Sequence, residues 1–423
     1  MKYAKLVLFL LACLGLTVAG CSPVTRPLWW KFRTNVDNRA SMQVDGAQGK
    51  LAPLSIPLSL LACPVLWSDQ QHKSWFDSRI VVGDVGSLHE FAPANGTEID
   101  NFPTLGTIES CPSAQPDTNV IYATDATLYM LFALNPYNLS KPLWSAPLPH
   151  GRGCTVLTRP EICGLGLPTP PVPYGDLVIV GFDTQLVAIK QGTIAWRYDI
   201  GPDQFVSTYS GPALSQEVDS AVVIAGRNGK VAKVLADEKL GINQQREVWT
   251  YTVGNNITVT ETVALGLDLA VFVPGNDGVM YALEPDSDAD LAKKGKPRLR
   301  WAFDTHTNAP LTAPAVAFID HPSNEVVYFA DNTNRLYALS AKNGWPMWSP
   351  VTLPSAATTA PVVTQNNMVY IGVGRGSAAS VIAIDRNQKI IWKVAVPGIV
   401  RNLAVAENGS IWALAGTNLI RID

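Results

Sequence analysis

The sequence predicts an all-β chain folded as an eight-bladed β-propeller. Short apolar runs rich in β-branched and aromatic residues, separated by tight turns, recur along the 423 residues. A Trp ends most of these units at nearly constant spacing, and a small residue followed by Pro precedes many of them. Self-similarity at this period indicates a repeat architecture rather than separate domains. Because 47% of the residues are apolar and only 16% are charged, the chain can bury a large core.

The clearest unit covers residues 325–348. Val326–Ala330 and Arg335–Leu339 are short apolar runs joined by a polar turn, which predicts two paired strands. Asn343-Gly344 supplies a second tight turn, because both residue types tolerate positive φ. A third strand, carrying Trp348, completes the predicted unit.

The unit-ending indoles are Trp144, Trp196, Trp249, Trp301, Trp348 and Trp392, at steps of 52, 53, 52, 47 and 44 residues. Trp30 precedes the first of them by 114 residues, which is two steps. The last unit, residues 410–422, has no Trp strand, and Leu28–Arg33 looks like a Trp strand without a partner. We therefore predict that Trp30 closes the ring within the eighth blade, leaving no exposed sheet edge. Seven blades is the alternative if the first unit, which has no matching Trp, is irregular.

Two further patterns support the blade assignment. The first unit is predicted to contain the strand pair Arg79–Val85 and Ser87–Phe91. A small residue followed by Pro suits a crowded innermost strand near the propeller axis. This pattern recurs at Cys63-Pro64, Cys111-Pro112, Gly211-Pro212, Ala313-Pro314 and Ala360-Pro361.

The N-terminus has the form of a lipoprotein signal. Lys2 and Lys5 precede an apolar core, Leu6–Leu16, too short to span a bilayer comfortably. Val18-Ala19-Gly20-Cys21 resembles a bacterial lipobox, which implies cleavage after residue 20 and acylation of Cys21, with palmitate among the expected chains. Acyl chains hold a protein to a membrane surface. We expect a signal peptide at 1–20, a lipid-anchored tether at 21–27 and one propeller domain at 28–423. The absence of Asp after the Cys favours outer-membrane sorting in a Gram-negative cell.

The repeats resemble those of the quinoprotein-dehydrogenase-like propellers, which place Ala, Asp, Gly and Trp at fixed offsets. Ala338, Gly344 and Trp348 fit this pattern, and Ala383, Asp385 and Trp392 fit it with one residue missing. The family contains enzymes that bind pyrroloquinoline quinone (PQQ) as well as scaffolds. A lipoprotein made of one such ring resembles the non-enzymatic propeller subunit of outer-membrane β-barrel assembly machinery. The resemblance implies a scaffold or binding role in the bacterial envelope, with envelope proteins as partners.

Other functions remain as alternatives. One is a divergent PQQ-dependent-dehydrogenase-like redox or ligand-binding propeller that uses the axial channel. Another is a component of a secretion or surface apparatus unrelated to barrel assembly. The net charge of −3 and the lack of a Lys/Arg run argue against nucleic-acid binding.

The sequence predicts no cofactor, metal site or catalytic residue. The family's PQQ enzymes use a disulfide between consecutive cysteines, and this sequence contains no Cys-Cys pair. Asp286, Asp288 and Asp290 alternate like the start of a Ca²⁺ loop, but Leu291 replaces the required Gly. A solvated turn is the simpler interpretation of that segment.

The remaining cysteines suggest two disulfides in an oxidising compartment. Cys154 and Cys163 lie in the long inter-blade loop Pro149–Pro171, which a disulfide would stiffen. Cys63 and Cys111 occupy equivalent inner-strand positions in successive units, so we expect them side by side; two buried free thiols are the alternative. We expect the Pro149–Pro171 loop either to cover the channel mouth and contact a partner or to be a tolerated insertion.

Overall fold

The computed structural model describes most of the chain beyond residue 39. The described residues are 40–42, 44–59, 62–67, 78–115, 118–148, 168–201, 213–215, 221–237, 240, 245–254, 257–259, 261–284, 297–318 and 324–423. Within these ranges no helix has the length and apolarity needed to cross a bilayer.

Eight separate sheets form the blades of a β-propeller, which confirms the predicted fold class and blade number. The two N-terminal strands, β1 (Ser41–Met42) and β2 (Leu51–Pro57), join the seventh and eighth blades. The first blade contains β3 (Val65–Trp67), β4 (Arg79–Phe91) and β5 (Glu98–Thr107). The second contains β6 (Ser113–Gln115), β7 (Val120–Asp125), β8 (Met130–Asn135) and β9 (Asn138–Pro147). The third contains β10 (Val172–Tyr174), β11 (Leu177–Phe182), β12 (Gln185–Lys190) and β13 (Thr193–Asp199).

The remaining blades follow the same antiparallel order. The fourth contains β14 (Ala213–Ser215), β15 (Ala221–Ala225), β16 (Lys230–Leu235) and β17 (Glu247–Thr252). The fifth contains β18 (Ala264–Leu265), β19 (Val271–Pro274), β20 (Val279–Leu283) and β21 (Leu299–Asp304). The sixth contains β22 (Ala315–Phe318), β23 (Glu325–Ala330), β24 (Arg335–Ser340) and β25 (Val351–Thr352). The seventh contains β26 (Val362–Thr364), β27 (Val369–Val373), β28 (Ser380–Ile384) and β29 (Ile390–Ala395), and the eighth contains β30 (Val400–Val405), β31 (Ile411–Ala415) and β32 (Asn418–Ile422).

Strand β4 folds back on itself within the first blade. Arg79 Nε lies 3.7 Å from Glu90 Oε1, although eleven extended residues would separate them by about 36 Å. The chain reverses near Gly86, whose φ of +78° suits a glycine. The first arm pairs with β3 and the second pairs with β5, so the blade has the two middle strands that the sequence predicts.

The ring is closed by β2. This strand pairs antiparallel with β32, placing Ser55 opposite Ile420 and Pro57 opposite Asn418. The predicted closing strand, Leu28–Arg33 with Trp30, lies outside the described residues, and β2 occupies the position predicted for it. Within the described residues the strand that pairs with β32 is β2, and the prediction for Trp30 itself remains untested. Prolines are tolerated in β2 because it is the outermost strand, where one edge needs no hydrogen-bond donors.

Residues 40–42 and 44–57 form an N-terminal strap that links the seventh blade to the eighth. Strand β1 pairs parallel with the innermost strand β26, where the Val363 N–H donates to the Ala40 carbonyl at 3.0 Å. The strap then passes the outer strand of the seventh blade, where the Trp392 Nε1–H donates to the Ala47 carbonyl at 3.1 Å. It enters β2 beside the C-terminal residue, Asp423, which exchanges two backbone hydrogen bonds with Lys50.

The sixth blade differs from its prediction in the outer strand. Trp348 does not lie on a strand: the outer strand is only Val351–Thr352, with an isolated bridge between Leu339 and Pro346. Pro346 lacks an N–H group and so cannot donate to a regular ladder. The indole of Trp348 is nevertheless 7% exposed and packs edge-on against Tyr328.

Candidate functional site

Three of the periodic tryptophans bridge adjacent blades by the same contact. Trp196 Nε1 donates to the Ala236 carbonyl at 3.2 Å, and Trp301 Nε1 donates to the Ala341 carbonyl at 2.9 Å. Each acceptor directly follows the third strand of the next blade, and Trp392 uses Ala47 of the strap in the same way. The strap therefore supplies to Trp392 the contact that the turn after the third strand of the next blade supplies to Trp196 and Trp301.

The glycine of the repeat faces the indole of the preceding blade. A Cβ on Gly344 would lie 2.7 Å from Trp301 Cδ2, and a Cβ on Gly49 would lie 2.6 Å from Trp392 Cγ. Both glycines have positive φ, +71° and +89°. The close ring contact explains why these positions carry glycine, because a Cβ would clash with the indole. The sequence pattern alone did not indicate which blade's Trp each Gly covers.

Two other predicted blade-packing tryptophans, Trp144 and Trp249, also lie on outer strands. Trp144 packs near Tyr122, with ring centroids 6.0 Å apart, and its Cβ lies 3.7 Å from the position of a Cβ on Gly192. Trp249 is 4% exposed within the cluster that joins the fourth and fifth blades.

Cys63 and Cys111 are joined in a disulfide, with their Cα atoms 4.8 Å apart. The bridge connects the entry to the first blade with the entry to the second, and both residues are buried. Cys21, Cys154 and Cys163 lie outside the described residues, so the lipidation site and the second disulfide stay predictions.

A cleft of about 310 Å³ lies between the strap and the first blade. Leu54, Ile56 and Leu58 line one wall, and Phe91 contributes to the other. Three titratable side chains also reach it: Asp84, His89 and Glu98. We call this the seam cleft. The sequence did not predict it, because it depends on which N-terminal segment forms the closing strand.

The polar side chains that line the seam cleft form a connected chain with Ser87, which lies beside the cleft. Ser87 Oγ lies 2.7 Å from His89 Nε2, and His89 Nδ1 lies 2.7 Å from Glu98 Oε1. Asp84 Oδ2 lies 3.9 Å from His89 Nε2 and accepts the Ser59 N–H at 2.9 Å. The side chain of His89 is 20% exposed, so the imidazole is accessible to water.

Glu90 lies on the opposite face of the same strand and is buried. Burial raises the pKa of its carboxyl from 4.5 to about 7, and the Arg79 guanidinium opposes this rise. Within the described ranges, no group of three or more His, Cys, Asp or Glu is arranged to hold a metal ion. The Asp286–Asp290 segment lies outside those ranges.

Comparison with known proteins identifies the repeat. A PQQ-repeat family model described as "Outer membrane protein assembly factor BamB" matches residues 239–423. The matched region is therefore similar to the PQQ-type repeats of that family. Curated relatives of that name are 22% identical over 215 residues, from Yersinia pestis, and 21% identical over 208 residues, from Moranella endobia. The chain spans about half the length of these relatives, since each match covers 50% of the relative and 51% or 49% of this chain.

Solved structures support the same fold. The crystal structure of BamB from Moraxella catarrhalis superposes with a TM-score of 0.61 at 15% identity, covering 88% of this chain and 96% of that chain. The crystal structure of the computationally designed Ika8 protein superposes with a TM-score of 0.62 at 15% identity, covering 90% of this chain and 98% of that one.

The region matched by the family model carries a prominent exposed aromatic residue. Trp345 is 73% exposed and Met347 is 48% exposed, in the outer turn of the sixth blade. The turn is held in place because Ser340 N–H donates to the Trp345 carbonyl at 2.9 Å and Trp345 N–H donates to Asn343 Oδ1 at 3.1 Å. The indole is therefore displayed on a fixed backbone rather than on an unanchored loop.

Proposed function

We propose that this chain is a membrane-anchored scaffold of the bacterial envelope whose part in outer-membrane protein assembly is non-enzymatic. The observation that carries the proposal is the BamB-type repeat over residues 239–423, in a ring closed by the strap. The lipobox-like Cys21 precedes the strap by fewer than twenty residues. Anchor and ring closure would then belong to one continuous N-terminal segment.

The position of β1 favours this role over a ligand-binding enzyme that uses the axial channel. Strand β1 adds to the channel side of β26, so the seventh blade has five strands where most blades have four. Ala40 and Met42 are buried there. The added strand narrows the space beside β26 that an axial ligand would need. Titration with PQQ and Ca²⁺ tests the redox alternative directly, and stoichiometric binding would favour it.

We propose the turn carrying Trp345 and Met347 as a contact surface for an outer-membrane assembly protein. Trp is enriched among the residues that dominate binding energy at protein interfaces. The turn is held by its own hydrogen bonds, so presenting Trp345 to a partner requires little additional ordering.

The test is affinity capture of the full chain from detergent-solubilised envelopes of its own cell. We expect an outer-membrane assembly protein to co-purify with the wild type and to be reduced at least tenfold by Trp345→Ala. Leu105→Ala is the matched control, because Leu105 is 92% exposed but lies in the first blade, outside the region matched by the family model. Capture that is unchanged in Trp345→Ala would refute the contact surface, and absence of any assembly protein would refute the assembly role.

Anchoring is tested separately. We expect the wild type to incorporate labelled palmitate and to fractionate with membranes, and Cys21→Ser to lose both properties while its propeller remains folded. Membrane association of Cys21→Ser equal to that of the wild type would contradict the lipid anchor.

A further inference from the structure

A serine beside the seam cleft is connected to a histidine and a carboxylate that line it, in the order used by serine hydrolases. Ser87 Oγ lies 2.7 Å from His89 Nε2, and Glu98 Oε1 lies 2.7 Å from His89 Nδ1. This connectivity joins a nucleophile to a general base and the base to an orienting acid. We propose that Ser87 is an activated nucleophile that hydrolyses small carboxylic esters by acyl transfer, an activity that the scaffold role neither requires nor uses.

The local fold explains why the three groups meet. Ser87 and His89 are two residues apart on the second arm of β4, so their side chains project from the same face. Glu98 begins β5 opposite Phe91, and the hairpin brings its carboxylate to the His89 ring. The imidazole stacks on Phe91, with ring centroids 5.7 Å apart. All three groups are therefore carried by paired strands, which hold their geometry more firmly than loops do.

The charges around His89 suit a general base. In the tautomer with the proton on Nδ1, this group donates to Glu98 and leaves the Nε2 lone pair facing the Ser87 hydroxyl. The imidazolium formed by proton transfer would face two carboxylates, Glu98 and the Oδ2 atom of Asp84 at 3.9 Å. Asp84 is fixed because Val85 N–H donates to its Oδ1 at 2.7 Å.

The adjoining cleft sets the class of substrate. Its volume of about 310 Å³ and its apolar lining, Leu54, Ile56 and Phe91, suit a short acyl chain rather than a long one. Asn95 lines the same cleft, and its side-chain amide is the donor we assign to the ester oxygen as negative charge develops.

The proposed reaction balances without a cofactor. Ser87 Oγ forms a bond to the ester carbonyl carbon while its proton passes to His89 Nε2. The carbon–oxygen bond to the alcohol then breaks, and the alcohol leaves with the proton from Nε2. Water repeats the sequence on the acyl-serine, which releases the carboxylic acid and restores Ser87 and neutral His89.

The test is covalent labelling of the purified full chain with a fluorophosphonate probe, together with hydrolysis of p-nitrophenyl acetate. We expect one adduct per chain, mapped by mass spectrometry to Ser87 and absent in Ser87→Ala. His89→Gln should lower the labelling rate at least about a hundredfold, as loss of a general base does. Glu98→Gln should lower kcat for the acetate ester more than it changes KM, because Glu98 positions the base.

Ser55→Ala is the matched control. Ser55 lines the same cleft, but its hydroxyl donates to Asn418 Oδ1 at 3.1 Å and not to a histidine. Labelling should be unchanged in this variant. Thermal melts confirm that each variant is folded. An unlabelled wild type, or equal labelling in folded Ser87→Ala or His89→Gln, would overturn the proposal.

Discussion

The contact between Gly49 and Trp392 allows ring closure to be measured as a free energy. An alanine at residue 49 would adopt a φ of +89°, which costs about 1–2 kcal/mol for a residue with a Cβ. Its Cβ would also lie 2.6 Å from Trp392 Cγ, and overpacking of this kind costs about 1–3 kcal/mol. We therefore predict that Gly49→Ala lowers the free energy of unfolding by about 2–5 kcal/mol.

Two matched glycines separate the cost of the positive φ from the cost of the clash with the indole. Gly344→Ala should cost about as much as Gly49→Ala, because its Cβ would meet Trp301 at 2.7 Å with a similar positive φ. Gly175→Ala should cost only about 1–2 kcal/mol, because its φ is +54° and nothing lies within 4 Å of the added Cβ.

Equilibrium urea unfolding of the three variants, followed by tryptophan fluorescence and circular dichroism, is the assay. In a Trp392→Ala background the clash is removed, so Gly49→Ala should then cost no more than Gly175→Ala. If Gly49→Ala costs no more than Gly175→Ala in the wild-type background as well, the strap is not docked against the seventh blade and the reasoning fails.

Three further predictions concern the strap, the disulfide and pH. Trp392→Phe removes the Nε1 donor to the Ala47 carbonyl and should lower stability by about 1–2 kcal/mol in the same unfolding assay; a neutral result would count against the contact. Replacing Cys63 and Cys111 together by Ala opens a loop with a sequence separation of 48, which should cost about 4 kcal/mol by calorimetry, and equal melting temperatures would contradict a formed bridge. Burial raises the pKa of Glu90 from 4.5 to about 7, so the folded state binds this proton more tightly than the unfolded state. Protonated Glu90 therefore stabilises the folded state fully below pH 4.5. This contribution to the free energy of unfolding, roughly 3 kcal/mol, is lost as the pH rises through 7. Glu90→Gln should reduce the difference between the free energies of unfolding measured by urea titration at pH 5 and pH 8. An unchanged difference would be inconsistent with a buried acid.

The regular parts of the fold could be predicted because they depend on local chemistry that each blade repeats. The Trp steps from Trp144 to Trp392 indicated the number of blades, and the shared Cys-Pro position placed Cys63 beside Cys111. The predicted break between Arg79–Val85 and Ser87–Phe91 falls at Gly86, where the positive φ favours glycine.

The closing strand could not be predicted because it lacks the Trp that five of the other outer strands carry. Residues 51–57 contain two prolines and no Trp, whereas Trp30 lies in a segment that resembles a repeat. An edge strand needs hydrogen-bond donors on one side only, so β2 tolerates prolines that would exclude a central strand. The seam cleft was missed as a consequence, because its second wall is this strand.

Cross-linking of the closing register tests the account most directly. Ser55 and Ile420 are opposite each other in the β2–β32 pair, and opposed residues in antiparallel strands lie within the Cα range of a disulfide. In a background without Cys154 and Cys163, we predict that Ser55→Cys with Ile420→Cys forms a disulfide under mild oxidation, detected by mass mapping. Trp30→Cys with Ile420→Cys should remain reduced. A bridge in the Trp30 pair, with none in the Ser55 pair, would contradict closure of the eighth blade by residues 51–57.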